Sequence, residues 1–308
     1  MSSIEKEADK YFSDNALAWQ NNAYLNSNYN YSVPLNRLRV IKKILFSKPQ
    51  IKNILDIGCG GAYLSIELAK LGFTVTALDQ SQEMLDLARK DIKKQPDEVQ
   101  RRISLKYSTV DACDVEEKYD CAIAMGLIGY LENDDKLFQM ASQKIKRNGL
   151  LIVSFRNHLF NLFSMSFRTL QDVEKGKFSK LTEESDSYYK PVSIEKTLQF
   201  LKALNVVTGE LLKVPLEYND EGDKEQIKYT RSIEPRQTTP SEAKATAEKW
   251  GFIWEKFVGV HPHFCVPGLN KNLPTEVYNR ISDCLIPFEE DEIALLWSSV
   301  FIGIFDKV

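Results

Sequence analysis

Residues 54–81, ILDIGCGGAYLSIELAKLGFTVTALDQS, constrain the fold more than any other stretch of the 308-residue chain. Ile51 to Ile57 is a short apolar run of the kind that forms a strand buried on both faces. Gly58, Gly60 and Gly61 follow, allowing a tight turn and close approach of a ligand to the backbone. Ala62 to Leu71 then sets Leu64, Leu68 and Leu71 at helical spacing, with Gly72 as the stop. Phe73 to Leu78 is a second apolar strand, closed by Asp79. Strand, turn, helix and strand in this order predict a right-handed crossover in a parallel sheet. The ligand crevice of such a sheet lies at the carboxyl ends of its strands.

The acids around the turn narrow the ligand. Asp79 stands 19 positions after Gly60, where a doubly wound sheet holds ribose hydroxyls on a carboxylate. A nicotinamide site has the pattern G-x-G-x-x-G, but Tyr63 occupies the third glycine position, and no Gly-Lys-Ser/Thr follows to make a phosphate loop. Asp56, immediately before the turn, would repel a phosphate. A ligand with a ribose and a cation but no phosphate suits both acids. S-adenosylmethionine, which carries an ammonium, a sulfonium and a ribose, is such a ligand.

Leu55-Asp56-Ile57-Gly58-Cys59-Gly60-Gly61 with the downstream Leu78-Asp79 resembles motifs one and two of the class I S-adenosylmethionine-dependent methyltransferases. Asp111-Ala112 resembles the acidic loop residue and neighbour that bracket the adenine in that family. Tyr119 to Ala124 resembles its fourth strand, and Arg147 to Ser154 its glycine turn and fifth strand. The resemblance covers residues 35–155 well and the rest loosely. It implies an α/β fold: a Rossmann-like, mostly parallel sheet of seven strands in the order 3-2-1-4-5-7-6, with helices on both faces and an antiparallel end. It also implies S-adenosylmethionine as cofactor, held by Asp56, Gly58, Gly60, Asp79, Gln80, Asp111 and Ala112. Met125 belongs to the active-site floor on the same reading, and Arg37 is a candidate for the cofactor carboxylate.

Composition excludes other classes. With 43% hydrophobic residues the chain can bury a large core, and a net charge of −3 advertises no basic face for nucleic acid. Five cysteines, an odd number without close pairing, suit a reducing compartment. Cys59 in the glycine turn reads as small packing. The opening MSSIEKEADKYFSDN carries no apolar signal segment, and Val300 to Phe305 is too short to span a bilayer. The expectation is a cytoplasmic protein with a small-molecule substrate, no nucleic-acid or membrane partner, no metal, and homo-oligomerisation left open.

Four segments organise the chain. Residues 1–48 read as an N-terminal helical lid, with aromatics Tyr11, Phe12, Trp19, Tyr24, Tyr29 and Tyr31 and a helix begun by Pro34. Residues 49–155 form the cofactor-binding core, with Gly126 and Tyr130 after the fourth strand facing the substrate. Residues 156–238 read as a substrate cap. Within it RNHLFNLFSMSFRTL lines a pocket and contributes His158, EKGKFSKLTEESDSYYK is loop-like, and SIEKTLQFLKALNV is a helix capped by Ser193. EQIKYTRSIEP is a strand or an extended linker.

Residues 239–308 return to the core with a helix capped at Thr239 or Ser241, a strand from Phe252 to Val260, a short loop region and a last strand in LLWSSVFIGIF. In HPHF, His261 and His263 share a face if extended, and a histidine near its ordinary pKa is a candidate general base. The expected chemistry is methyl transfer to an oxygen or nitrogen of a small molecule. A protein substrate, aminopropyl transfer, or a non-catalytic scaffold on the same fold are the alternatives.

Overall fold

The computed structural model describes residues 2–21, 33–112, 118–211, 233–270 and 273–308. Tyr24, Tyr29, Tyr31 and most of EQIKYTRSIEP lie outside the described residues. Seven strands, β1 (Asn53–Ile57), β2 (Thr74–Asp79), β3 (Ile103–Tyr107), β4 (Tyr119–Ala124), β5 (Ile145–Arg156), β6 (Phe252–Pro262) and β7 (Ser298–Lys307), form one sheet in the order β3-β2-β1-β4-β5-β7-β6. The β1–β2, β1–β4, β2–β3 and β4–β5 pairs are parallel, whereas β7 runs antiparallel to both β5 and β6. This is the order implied by the family resemblance.

Both faces of the sheet are covered, which is why its central strands read as unbroken apolar runs. Successive side chains on a strand point to opposite faces. Leu55, Ile57, Ala122, Ala124, Leu151 and Val153 pack on one side against Leu137, Phe138 and Ala141 of the helix Asp135–Lys144, and against Ala243 and Ala247 of the helix Pro240–Lys249. Ile54, Val75, Ala77, Cys121, Ile123 and Ile152 pack on the other side against Val40, Ile41, Ile44 and Leu45 of the helix Val33–Phe46. The segment after residue 232 returns to the core through Arg236. Its guanidinium donates to the carbonyls of Leu131 (2.7 Å) and Ile128 (3.0 Å) and to Asp134 Oδ1 (2.6 Å).

Two expectations need correction. EKGKFSKLTEESDSYYK is not loop-like, because Phe178–Asp186 is a helix whose Leu181 packs on Leu159 and Leu296. One apolar anchor in a charged stretch gives too weak a periodic signal to read. The connection from β6 to β7 is not short: it carries the helices Pro267–Asn270, Thr275–Asp283 and Ala294–Trp297. The N-terminal segment begins with helices Ser3–Asp14 and Ala16–Gln20, the first started by a capping box in which Ser2 N–H donates to Glu5 (2.7 Å). The other helix caps follow the sequence reading, with Thr239 as the N-cap and Pro240 at the first helical position.

Candidate active site

Gly58 and Gly60 adopt left-handed backbone (φ 72° and 53°), which lets the chain reverse between β1 and the helix Tyr63–Lys70. The turn is laced to the end of β2: the amides of Gly58 and Cys59 both donate to the Leu78 carbonyl, at 2.8 and 3.0 Å. The Gly60 amide donates to Asp79 Oδ2 at 2.8 Å, and the Ser81 amide to Asp79 Oδ1 at 2.9 Å. These bonds fix the Asp79 carboxylate at the mouth of the turn. Burial nevertheless raises its pKa above the ordinary carboxylate value, against the lowering effect of those amides.

A cavity of about 1060 Å³ opens here along the carboxyl ends of the strands. Gly58, Gly60, Asp79, Gln80, Met125, Gly126, Tyr130, Arg37, His261 and His263 all line it. The helix Ser3–Asp14 closes over the β2 end with Ala8, Asp9 and Phe12, and the Phe12 ring meets Tyr130 edge-on at 5.2 Å. Glu5 anchors that helix, accepting from Lys136 Nζ at 2.9 Å and from the Glu132 amide at 3.2 Å. Of residues 156–238, Arg156, Phe160 and Pro235 are the described residues that line the cavity.

Four residues taken from the sequence as site residues are placed elsewhere. Asp56 is buried behind the glycine turn, accepts from Ser65 Oγ at 2.6 Å and does not line the cavity; burial raises its pKa to about 7. Asp111 and Ala112 are exposed just beyond the lining residues Ser108, Thr109 and Val110, and Asp111 pairs with Lys136 at 3.2 Å. His158 is turned away from the cavity, its Nε2 3.0 Å from Asp172 Oδ1, so it is not a wall of the cavity. A strand-end or loop position is visible in sequence, but the direction of its side chain is not.

The two C-terminal histidines do meet. His261 takes left-handed φ (62°) near the end of β6, and the two ring centroids lie 4.0 Å apart. The Tyr278 hydroxyl sits between them, 2.9 Å from His261 Nε2 and 3.1 Å from His263 Nδ1, and Ser299 Oγ lies 3.2 Å from His261 Nδ1. The hydroxyl has one proton, so it donates to one ring and accepts from the other. Both histidines are buried, and burial keeps them neutral: His263 is lowered to about 4, and His261 falls well below its usual value, with His263 and Arg156 adding to the effect. The expectation of a histidine near its ordinary pKa is therefore corrected. Arg156, Tyr278 and Ser299 were missed in the sequence. Arg156 was open to inference, because it ends a parallel strand where such sheets bind ligands.

Residues 54–149 match the family of methyltransferase domains. Ubiquinone biosynthesis O-methyltransferase of Rickettsia conorii is 30% identical over 145 residues, covering 47% of this chain and 48% of that protein. The Rickettsia canadensis protein of the same name is 28% identical over 203 residues, covering 64% of this chain and 83% of that one. Among solved structures, magnesium protoporphyrin IX methyltransferase from Synechocystis PCC 6803 with bound SAH shares the fold at a TM-score of 0.55 and 12% identity. That match covers 99% of this chain and 100% of that chain.

Sheet order, glycine turn and matched domain together support a class I S-adenosylmethionine-dependent methyltransferase. The matched domain and the relatives named as O-methyltransferases support an enzyme of that class. No described helix is long and apolar enough to cross a membrane.

Proposed function

We propose that the protein transfers a methyl group to an oxygen of a small molecule, with the cofactor lying along the Gly58–Gly60 turn and its ribose on Asp79. The observation that carries this reading is the Asp79 carboxylate, fixed by two backbone amides and facing a cavity large enough for a nucleoside and a second molecule. Gly60 leaves the near wall open, since a Cβ there would meet only Trp19 and Met84, at 3.8 and 4.0 Å. On this reading Gln80 neighbours the ribose, Met125 floors the site, and Arg37, which lies against Gly126, offers a cation to the cofactor carboxylate. Asp56 acts from behind the turn, holding Ser65, and not by direct contact.

The oxygen acceptor is supported by the relatives, whose names specify O-methylation. The sulfonium supplies the electrophile, so the chain's task is to align an acceptor with it and to keep water out. Such positioning can lower a barrier by about 7–11 kcal/mol. Tyr130, the paired imidazoles of His261 and His263, and the roof from Phe160, Pro267 and Asn279 surround the acceptor end. Residues 1–48 then serve as the lid, and residues 156–238 as a cap that reaches the cavity through Phe160 and Pro235. Incubation with methyl-labelled cofactor and paired hydroxy and amino compounds tests the proposal. Label on oxygen acceptors is expected, and label on amines alone would refute it.

A further inference from the structure

The cavity is divided by charge. Asp79, Asp9 and Glu5 line its β2 side, whereas Arg156, His261, His263, Asn279 and Ser299 line the side formed by β5, β7 and β6. β2 and β7 are four strand spacings apart in the sheet order. At about 4.8 Å each, those spacings separate β2 from β7 by roughly 19 Å, and from the Arg156 end of β5, three spacings away, by roughly 14 Å. An adenosine seated on Asp79 therefore leaves the Arg156 end to the acceptor. Among the described residues, no carboxylate lines that end.

We infer that Arg156 selects an acceptor whose nucleophile is an already ionised oxygen, a carboxylate above all, with the His261–Tyr278–His263 cluster beside it. This rests on the oxygen-methylation reading and names its substrate class. Two observations carry it. Arg156 faces the cavity close enough to His261 to oppose that ring's protonation. The two imidazoles and Tyr278 are tied to one another through a single hydroxyl, in a buried cluster that resists taking up a proton. An ammonium acceptor would face the guanidinium and be repelled, and a neutral alcohol would find no strong proton acceptor. A carboxylate needs none. One of its oxygen lone pairs forms the new O–CH₃ bond, the electron pair of the broken C–S bond returns to sulfur, and no proton has to leave. A guanidinium also matches the planar geometry of a carboxylate.

The test uses the full chain saturated with S-adenosylhomocysteine, titrated calorimetrically with 2-naphthoate and its neutral isostere 2-naphthamide. The naphthoate should bind at least about tenfold more tightly, the scale of one charge-assisted contact. Arg156→Gln should remove that preference, and Arg156→Lys should keep part of it, both with S-adenosylhomocysteine affinity unchanged. Equal binding of the two probes, binding of neither, or a preference that survives in Arg156→Gln would overturn the inference. So would loss of S-adenosylhomocysteine affinity in Arg156→Gln, which would assign the guanidinium to the cofactor's own carboxylate. A wild-type chain that fails to bind S-adenosylhomocysteine at all would instead refute the reading on which the inference rests.

Discussion

The Gly60 amide donates to Asp79 Oδ2 at 2.8 Å, joining the turn after β1 to the end of β2 across 19 residues of chain. The bond depends on the left-handed conformation of Gly60. For a residue with a Cβ that conformation costs about 1–2 kcal/mol. Space is not the obstacle, since the nearest atoms to an added Cβ are 3.8 Å away. Gly60→Ala should therefore fold with a stability loss of about 1–2 kcal/mol in urea unfolding, and lose proportionally more affinity for S-adenosylhomocysteine because its methyl enters the cavity. Wild-type affinity in the folded variant would place the cofactor elsewhere.

Gly58 differs. Its added Cβ would meet three Leu127 side-chain atoms at 3.1–3.3 Å as well as adopting a φ of 72°. Gly58→Ala should be the less stable of the two variants, by thermal melting. The reverse order would mean that Leu127 yields freely.

Tyr278 is almost fully buried and serves both histidines. Tyr278→Phe keeps the ring but removes that shared hydroxyl, so the expected loss is about 1–3 kcal/mol in chemical denaturation. If the histidine cluster only lines the site of an ionised acceptor, His263→Gln should keep turnover within about tenfold of wild type. A general base in that position would instead cost about 10²–10⁴-fold.

These outcomes bear on what the sequence discloses. β4 was legible to the residue through the family resemblance, and the turn glycines were legible because left-handed backbone disfavours other side chains. β5 extends further toward the N-terminus than the fifth strand read from Arg147 to Ser154, since it begins at Ile145 and passes through a left-handed Asn148. Asp79 was legible as a strand-end acid, and the His261–His263 pair from its spacing. The Tyr278 bridge was not, since it joins a helix to a strand end across 17 residues with no pattern linking them. His158 and Asp111 show the converse: a suitable residue at a suitable position turns to an Asp172 or Lys136 partner that only the tertiary structure supplies.

The pH dependence of stability separates two opposed groups. Asp56 has a folded pKa of about 7, above its unfolded value of 3.8, so its contribution is present below 3.8 and is lost as pH rises through 7. His263 has a folded pKa of about 4, below 6.5, so its contribution is present above 6.5 and is lost as pH falls through 4. Between pH 4 and 7 the two partly cancel. Asp56→Asn removes the first, so its stability should rise more steeply with pH over that window. The divergence from wild type should reach about 4 kcal/mol at most, because each pH unit between the folded and unfolded values contributes about 1.4 kcal/mol. Parallel urea midpoints for the two proteins would contradict the buried state of Asp56.

An S-adenosylmethionine whose ribose rests on Asp79 should lose affinity when that carboxylate is removed. Calorimetric titration of S-adenosylhomocysteine into the wild-type chain and into Asp79→Ala makes the comparison. One site per chain is expected, weakened by about 1–3 kcal/mol in the variant, where ribose hydroxyls lose their acceptor. Absence of binding to wild type, or equal affinity in a folded Asp79→Ala protein, would contradict it.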